Sequence, residues 1–145
     1  MKAFLFPLDR ALHIRRAQFE IEQARLQRLM REREELEQRT TEVIDEAAAA
    51  RRGITSQTPL IPGEISTVSD YQRDVRQQLH KMAQQMCELD VAVIKQREQA
   101  MESERKVKLL EKLRAKRLDA WEIQMEKDQE NFSADASLAR WTVSS

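Results

Sequence analysis

Arg51-Arg52-Gly53-Ile54-Thr55-Ser56-Gln57-Thr58-Pro59-Leu60-Ile61-Pro62-Gly63-Glu64 is the stretch whose reading decides the fold. It holds both glycines of the chain and two of its three prolines, Pro59 and Pro62. Proline lacks the amide donor that a helix interior needs, and glycine favours a helix C-cap. A helix is therefore predicted to stop here and a second to begin, with no helix or strand longer than one turn between Gly53 and Gly63. Residues 53–64 form the one loop of any size. The flanks read as helices over 9–52 and 66–140, within a single domain spanning 1–145.

The first helix opens after Pro7, where Asp9 suits the positive end of the helix dipole. Its apolar seam keeps three-and-four spacing through Leu8, Leu12, Phe19, Leu26, Leu29, Leu36, Val43, Ala47 and Ala50, with Arg15, Glu22, Arg33 and Thr40 as polar interruptions. The second opens near Ser66 or Ser69, where Ser69-Asp70-Tyr71-Gln72 matches a capping box. Its seam runs Leu79, Met82, Met86, Leu89, Val93, Gln96, Ala100, Ser103, Val107, Leu110. Heptads of this length predict an all-α chain, an antiparallel two-helix coiled-coil hairpin with a longer C-terminal helix. Facing residues would sum to about 118 in number, the register that opposes the two seams. At ~1.5 Å of rise per residue the helices would measure roughly 65 and 110 Å. Residues beyond about Leu110 would then overhang without a partner in the first helix.

Composition agrees. The chain has 145 residues, 34% of them charged and only 5% aromatic, a mixture suited to long helices with a thin seam rather than a thick core. Net charge is zero, and basic and acidic residues also balance in each half, 11 of each over 1–64 and 14 of each over 65–145. General attraction to nucleic acid or to an anionic membrane has no support from that balance. No run of about 18 apolar residues exists, so direct membrane insertion is not expected. The opening Met1-Lys2-Ala3-Phe4-Leu5-Phe6-Pro7 has one positive charge and a short apolar stretch, which argues against a signal peptide. Cys87 is the single cysteine, which points to a reducing compartment.

Chemistry-bearing constellations are missing. His13 and His80 lack neighbours at metal-ligand spacing, two glycines cannot build a phosphate loop, and Cys87 reads as a small helical filler. No catalytic residue, cofactor or metal is expected, and the chain reads as a protein-contacting one. The features that remain are surfaces. Over 105–118 seven basic residues, among them Lys112, Arg114 and Arg117, face one acid, Glu111. Over 119–135 the sign reverses, with six acids against Lys127. Through both runs Leu110, Leu113, Leu118, Trp121, Met125 and Phe132, which an isolated helix would leave wet. A second stripe, Ile14, Ala17, Ile21 and Ala24, lies nearly opposite the seam of the first helix. It is either tolerated on the surface or a docking face for another protein or for the overhang.

Two segments resemble the FliJ family of flagellar type III export proteins. Phe4-Leu5-Phe6-Pro7-Leu8-Asp9-Arg10-Ala11-Leu12-His13-Ile14-Arg15-Arg16, continued by Phe19-Glu20-Ile21-Glu22-Gln23-Ala24-Arg25-Leu26, looks like the family's opening. Val107-Lys108-Leu109-Leu110-Glu111-Lys112-Leu113-Arg114-Ala115-Lys116-Arg117 is similar to its Leu-Glu-Lys-Leu basic segment, with Trp121 following in order. Phe132-Ser133-Ala134-Asp135 stands where the family has a Leu-Asp-Glu-like element, a departure at the tail.

The resemblance implies a coiled-coil stalk of flagellum biogenesis and motility, similar to the coiled-coil part of the ATP synthase gamma subunit. It would lie in the cytoplasm, peripheral to the inner membrane. The implied partners are the export ATPase hexamer, the export-gate membrane protein and substrate chaperones. Lys112, Arg114, Arg117, Trp121, Met125 and Phe132 would contact the ATPase, with loss of Trp121 weakening binding while scarcely moving the melting temperature. Tyr71, Val75, Gln78 and Met82 would form the gate-binding edge. Alternatives are the stalk of a virulence-type injectisome and a generic structural coiled-coil dimer. A nucleic-acid binder built on 105–117 would lack interleaved aromatic residues and a recognisable fold motif.

Overall fold

A computed structural model of the chain describes residues 2–55 and 62–144. Two long helices packed together make up almost all of it: α1, Asp9–Thr55, and α2, Pro62–Val143. No strand occurs among the described residues. α1 starts where the Asp9 amide donates to the Phe6 carbonyl at 3.0 Å. Asp9 in its first turn and Arg52 in its last suit the two ends of the dipole.

The helices run further than 9–52 and 66–140. Gly53, Ile54 and Thr55 belong to α1, and Pro62, Gly63 and Glu64 belong to α2. Proline at a first helical position sacrifices no hydrogen bond, since that amide is unpaired in any helix. A Cβ at Gly53 or Gly63 would meet nothing within 4 Å, so neither glycine marks a crowded turn. Ser69-Asp70-Tyr71-Gln72 lies within α2 and does not begin it. The rest of the expected loop, residues 56–61, lies outside the described residues.

Packing divides the chain into two compact units, and both helices contribute to each: residues 21–100, and residues 1–20 with 101–145. In the first, Leu36, Val93 and Ala100 are buried, with Leu26, Leu29, Val43, Ala47, Leu79, Met82, Met86 and Leu89 half-buried. These are the seam positions the spacing picked out. A side chain such as Leu36 contributes roughly 1.5–3 kcal/mol when fully removed from water. Polar contacts cross this unit. The Gln96 amide donates to the Glu22 carbonyl at 3.0 Å and also to the Glu22 carboxylate. Arg33 Nε lies 2.5 Å from Asp90 Oδ1, and the Thr40 hydroxyl donates to Met82 Sδ at 3.7 Å. As α1 is ascended through Glu22, Arg33 and Thr40, the partners descend α2. Glu22 with Gln96 fits the expected register, whereas Arg33 and Thr40 reach about one turn further along α2.

The second unit corrects an expectation. α2 beyond Leu110 is not without a partner: Leu113, Arg114, Leu118, Trp121 and Met125 are all half-buried. Residues 2–8, which precede α1, continue past its start as a non-helical strap against α2. Phe6 in the strap is 7% exposed and Leu12 just inside α1 is 1% exposed, and Val107 of α2 in the same unit is buried too. Arg16 pairs with Glu111 at 3.1 Å. The bare part of α2 starts only at Glu126; from there to Val143 every residue is exposed except half-buried Ala136. Ile14 and Ile21 on the far side of α1 are about half exposed, and Ala17 and Ala24 are exposed beside them.

Candidate functional site: the C-terminal part of α2

The strap determines how the candidate ATPase-binding residues are arranged. Asp9, at the start of α1, sends its carboxylate toward Arg114 Nε at 3.7 Å. The Arg114 guanidinium also lies over the Phe4 ring, 5.5 Å from its centroid, and that of Arg117 lies over the Phe6 ring at 5.8 Å. The Phe4 ring meets Trp121 with centroids 6.0 Å apart and planes tilted by 58°. That spacing is typical of tilted aromatic pairs, in which a ring edge approaches a ring face. Arg114, Arg117 and Trp121 thus form one face, whose occupant is the chain's own N-terminal segment. Trp121 is half-buried against Phe4 rather than isolated, so its removal is expected to cost stability as well as binding.

The other three residues of the set fall elsewhere. Met125 is half-buried at the end of the covered seam. Lys112 is exposed and has no acid within ion-pair distance among the described residues. Phe132 is 75% exposed in the bare part of α2, as are Leu138, Trp141 (77%) and Val143. The basic run is partly neutralised at home: Arg105 pairs with Glu102 at 3.6 Å and Lys108 with Glu104 at 3.1 Å. Pairs this exposed hold their partners weakly and leave the charges available to another molecule.

The proposed gate edge is divided. Tyr71 and Val75 line a groove of about 570 Å³ together with Ile44, Ala47, Ile54 and Leu79. Arg51 and Arg76 also line it. Gln78 is exposed and outside the groove, and Met82 is committed to the seam beside Thr40. Residues missing from the sequence-based set are Phe4, Phe6 and Asp9. The signal for them was the Phe4-Leu5-Phe6-Pro7 run itself, whose two rings flank Leu5, an exposed residue.

Among the described residues no helix is long and apolar enough to cross a membrane. No group of three His, Cys, Asp or Glu side chains among them is placed to hold a metal ion. Comparison of the chain with known protein families, with characterised proteins and with solved structures finds no match.

Proposed function

We propose that the chain is a non-enzymatic stalk of a flagellar type III protein export apparatus, an antiparallel two-helix coiled-coil hairpin linking the export ATPase ring to the export gate. Its place is the cytoplasm, at the inner face of the membrane through that apparatus, and substrate chaperones are further partners. One observation carries most weight. From Glu126 to Val143 α2 stays helical while Phe132, Leu138, Trp141 and Val143 lie in solvent. A helix so exposed gains from a partner that buries those groups. The Arg114–Arg117–Trp121 face belongs to the same compact unit, so an axial partner could use both. The groove beside Tyr71 and Val75 is the corresponding candidate for the gate.

Phe132→Ala tests this cleanly, because Phe132 is 75% exposed and its loss should scarcely affect the fold. In pulldown and stimulated-hydrolysis assays with a purified export ATPase, it should lower affinity at least severalfold, as loss of an aromatic anchor does. Unchanged binding would sink the proposal. An injectisome stalk is separated from it by exchanging the ATPase in the same assay. The structural-dimer alternative draws on the exposed Ile14 and Ile21. Sedimentation equilibrium that finds a dimer, abolished by Ile14→Glu, would favour it.

A further inference from the structure

Among the described residues, the strap's backbone hydrogen bonds run only to the start of α1. The Asp9 amide donates to Phe6 and the Leu12 amide to Leu8, at 3.0 and 2.9 Å. Nothing in the backbone ties residues 2–8 to α2. They are held there by side chains: Phe6, buried at 7% exposure, the Phe4 ring on Trp121, two guanidinium groups over Phe4 and Phe6, and one exposed ion pair at Asp9. A segment with one buried side chain and no ladder of backbone hydrogen bonds opens before the helices it lies on. Opening here would expose the Trp121 ring face and leave two arginines without their aromatic partners.

We infer that the N-terminal strap is a displaceable cover over the Arg114–Arg117–Trp121 face, held closed in the free protein and replaced on binding by a partner segment of like chemistry. The strap itself defines that chemistry: an extended piece with two aromatic side chains on alternate residues, followed by a carboxylate. The aromatic rings meet Trp121 and the guanidinium groups, and the carboxylate meets Arg114. The inference rests on the proposed docking role of this face and adds how the face is regulated. A partner must compete with an internal segment, so its apparent affinity falls by the fraction of molecules in which the face is open.

The probe is a fluorescein-labelled peptide copying residues 2–12, titrated into the full-length chain and followed by anisotropy. If the cover is closed about nine-tenths of the time, Phe4→Ala/Phe6→Ala should bind the peptide about tenfold tighter than the unmodified chain does. Adding Trp121→Ala to that variant should abolish the gain. Equal affinity for the unmodified chain and the double variant overturns the inference. Loss of helical circular dichroism in the double variant also overturns it, since the strap would then be a permanent part of the fold. So would a concentration-dependent dimer of the unmodified chain that the double variant lacks, the mark of straps exchanged between two copies. No ATPase enters this experiment, so its failure leaves the export reading standing. Failed ATPase binding by Phe132→Ala leaves the cover standing.

Discussion

Leu12→Ala is the sharpest probe of how the N-terminal end is held. Leu12 is 1% exposed, the most completely buried large side chain among the described residues. Truncation removes three carbons, worth about 0.8 kcal/mol each, so the transfer loss is about 2.4 kcal/mol. The cavity left behind adds to this, and buried Leu→Ala changes reach roughly 2.7–5 kcal/mol. A seam only two helices thick can partly close over the gap, which places the expected cost at about 2.5–3.5 kcal/mol. Ile14, two residues on, is the control: it is 51% exposed on the opposite side of α1. Half the burial, offset by the better helix propensity of alanine, leaves about 0.5 kcal/mol for Ile14→Ala. Urea unfolding should be followed by Trp121 fluorescence in a Trp141→Phe background, which silences the exposed indole. The midpoint should fall without a change of slope. A difference between the two variants below about 1 kcal/mol would show that Leu12 does not face α2 as described.

Other substitutions probe the remaining contacts. Trp121→Ala should destabilise by about 2 kcal/mol in thermal unfolding, combining partial burial with the Phe4 ring contact; a neutral result would detach the strap from α2. A double-mutant cycle of Arg33→Ala and Asp90→Ala should give a coupling of about 0.2–1 kcal/mol that disappears in about 1 M salt, because both groups are half exposed. A coupling that survives such salt would contradict the exposure of the pair. Gln96→Leu should stabilise by up to about 1 kcal/mol while broadening the amide spectrum, because Gln96 is 8% exposed and its amide fixes the seam to Glu22. Clear destabilisation would mean that the Glu22 carbonyl and carboxylate depend on that donor.

Two packed helices could be read in the sequence because the punctuation and the period agree. Spacing alone picks out the seam positions from Leu12 to Ala50 and from Leu79 to Leu110, and all of them are buried or half-buried, whereas Leu8 before α1 is exposed. Helix ends were less legible. Gly53 and Pro62 read as breakers, yet a proline at a first position and a glycine in an uncrowded last turn cost a helix little. Register was harder still. Periodicity fixes which face meets the partner but not by how many turns the helices slide, and Arg33–Asp90 and Thr40–Met82 lie about one turn from the expected register.

The candidate site was legible in its residues and not in its partner. Basic side chains, Trp121 and Phe132 stand out in any helical reading of 105–135, but the seam there was measured against α1 alone. Helical bookkeeping ends α1 at Asp9, because Pro7 closes the pattern, and so it leaves α2 bare beyond Leu110. Phe4 and Phe6 obey a different rule: on an extended segment alternate residues point the same way, which lets both rings meet arginines one turn apart on α2, Arg114 and Arg117. Half-burial accordingly persists along α2 to Met125. The same limit separates two kinds of apolar residue in α2. Trp121 has the Phe4 ring as an internal occupant that a partner must displace and Met125 is half-buried, whereas Phe132 and Trp141 are about three-quarters exposed. Substitutions in the first group should change stability and binding together, and those in the second should change binding alone.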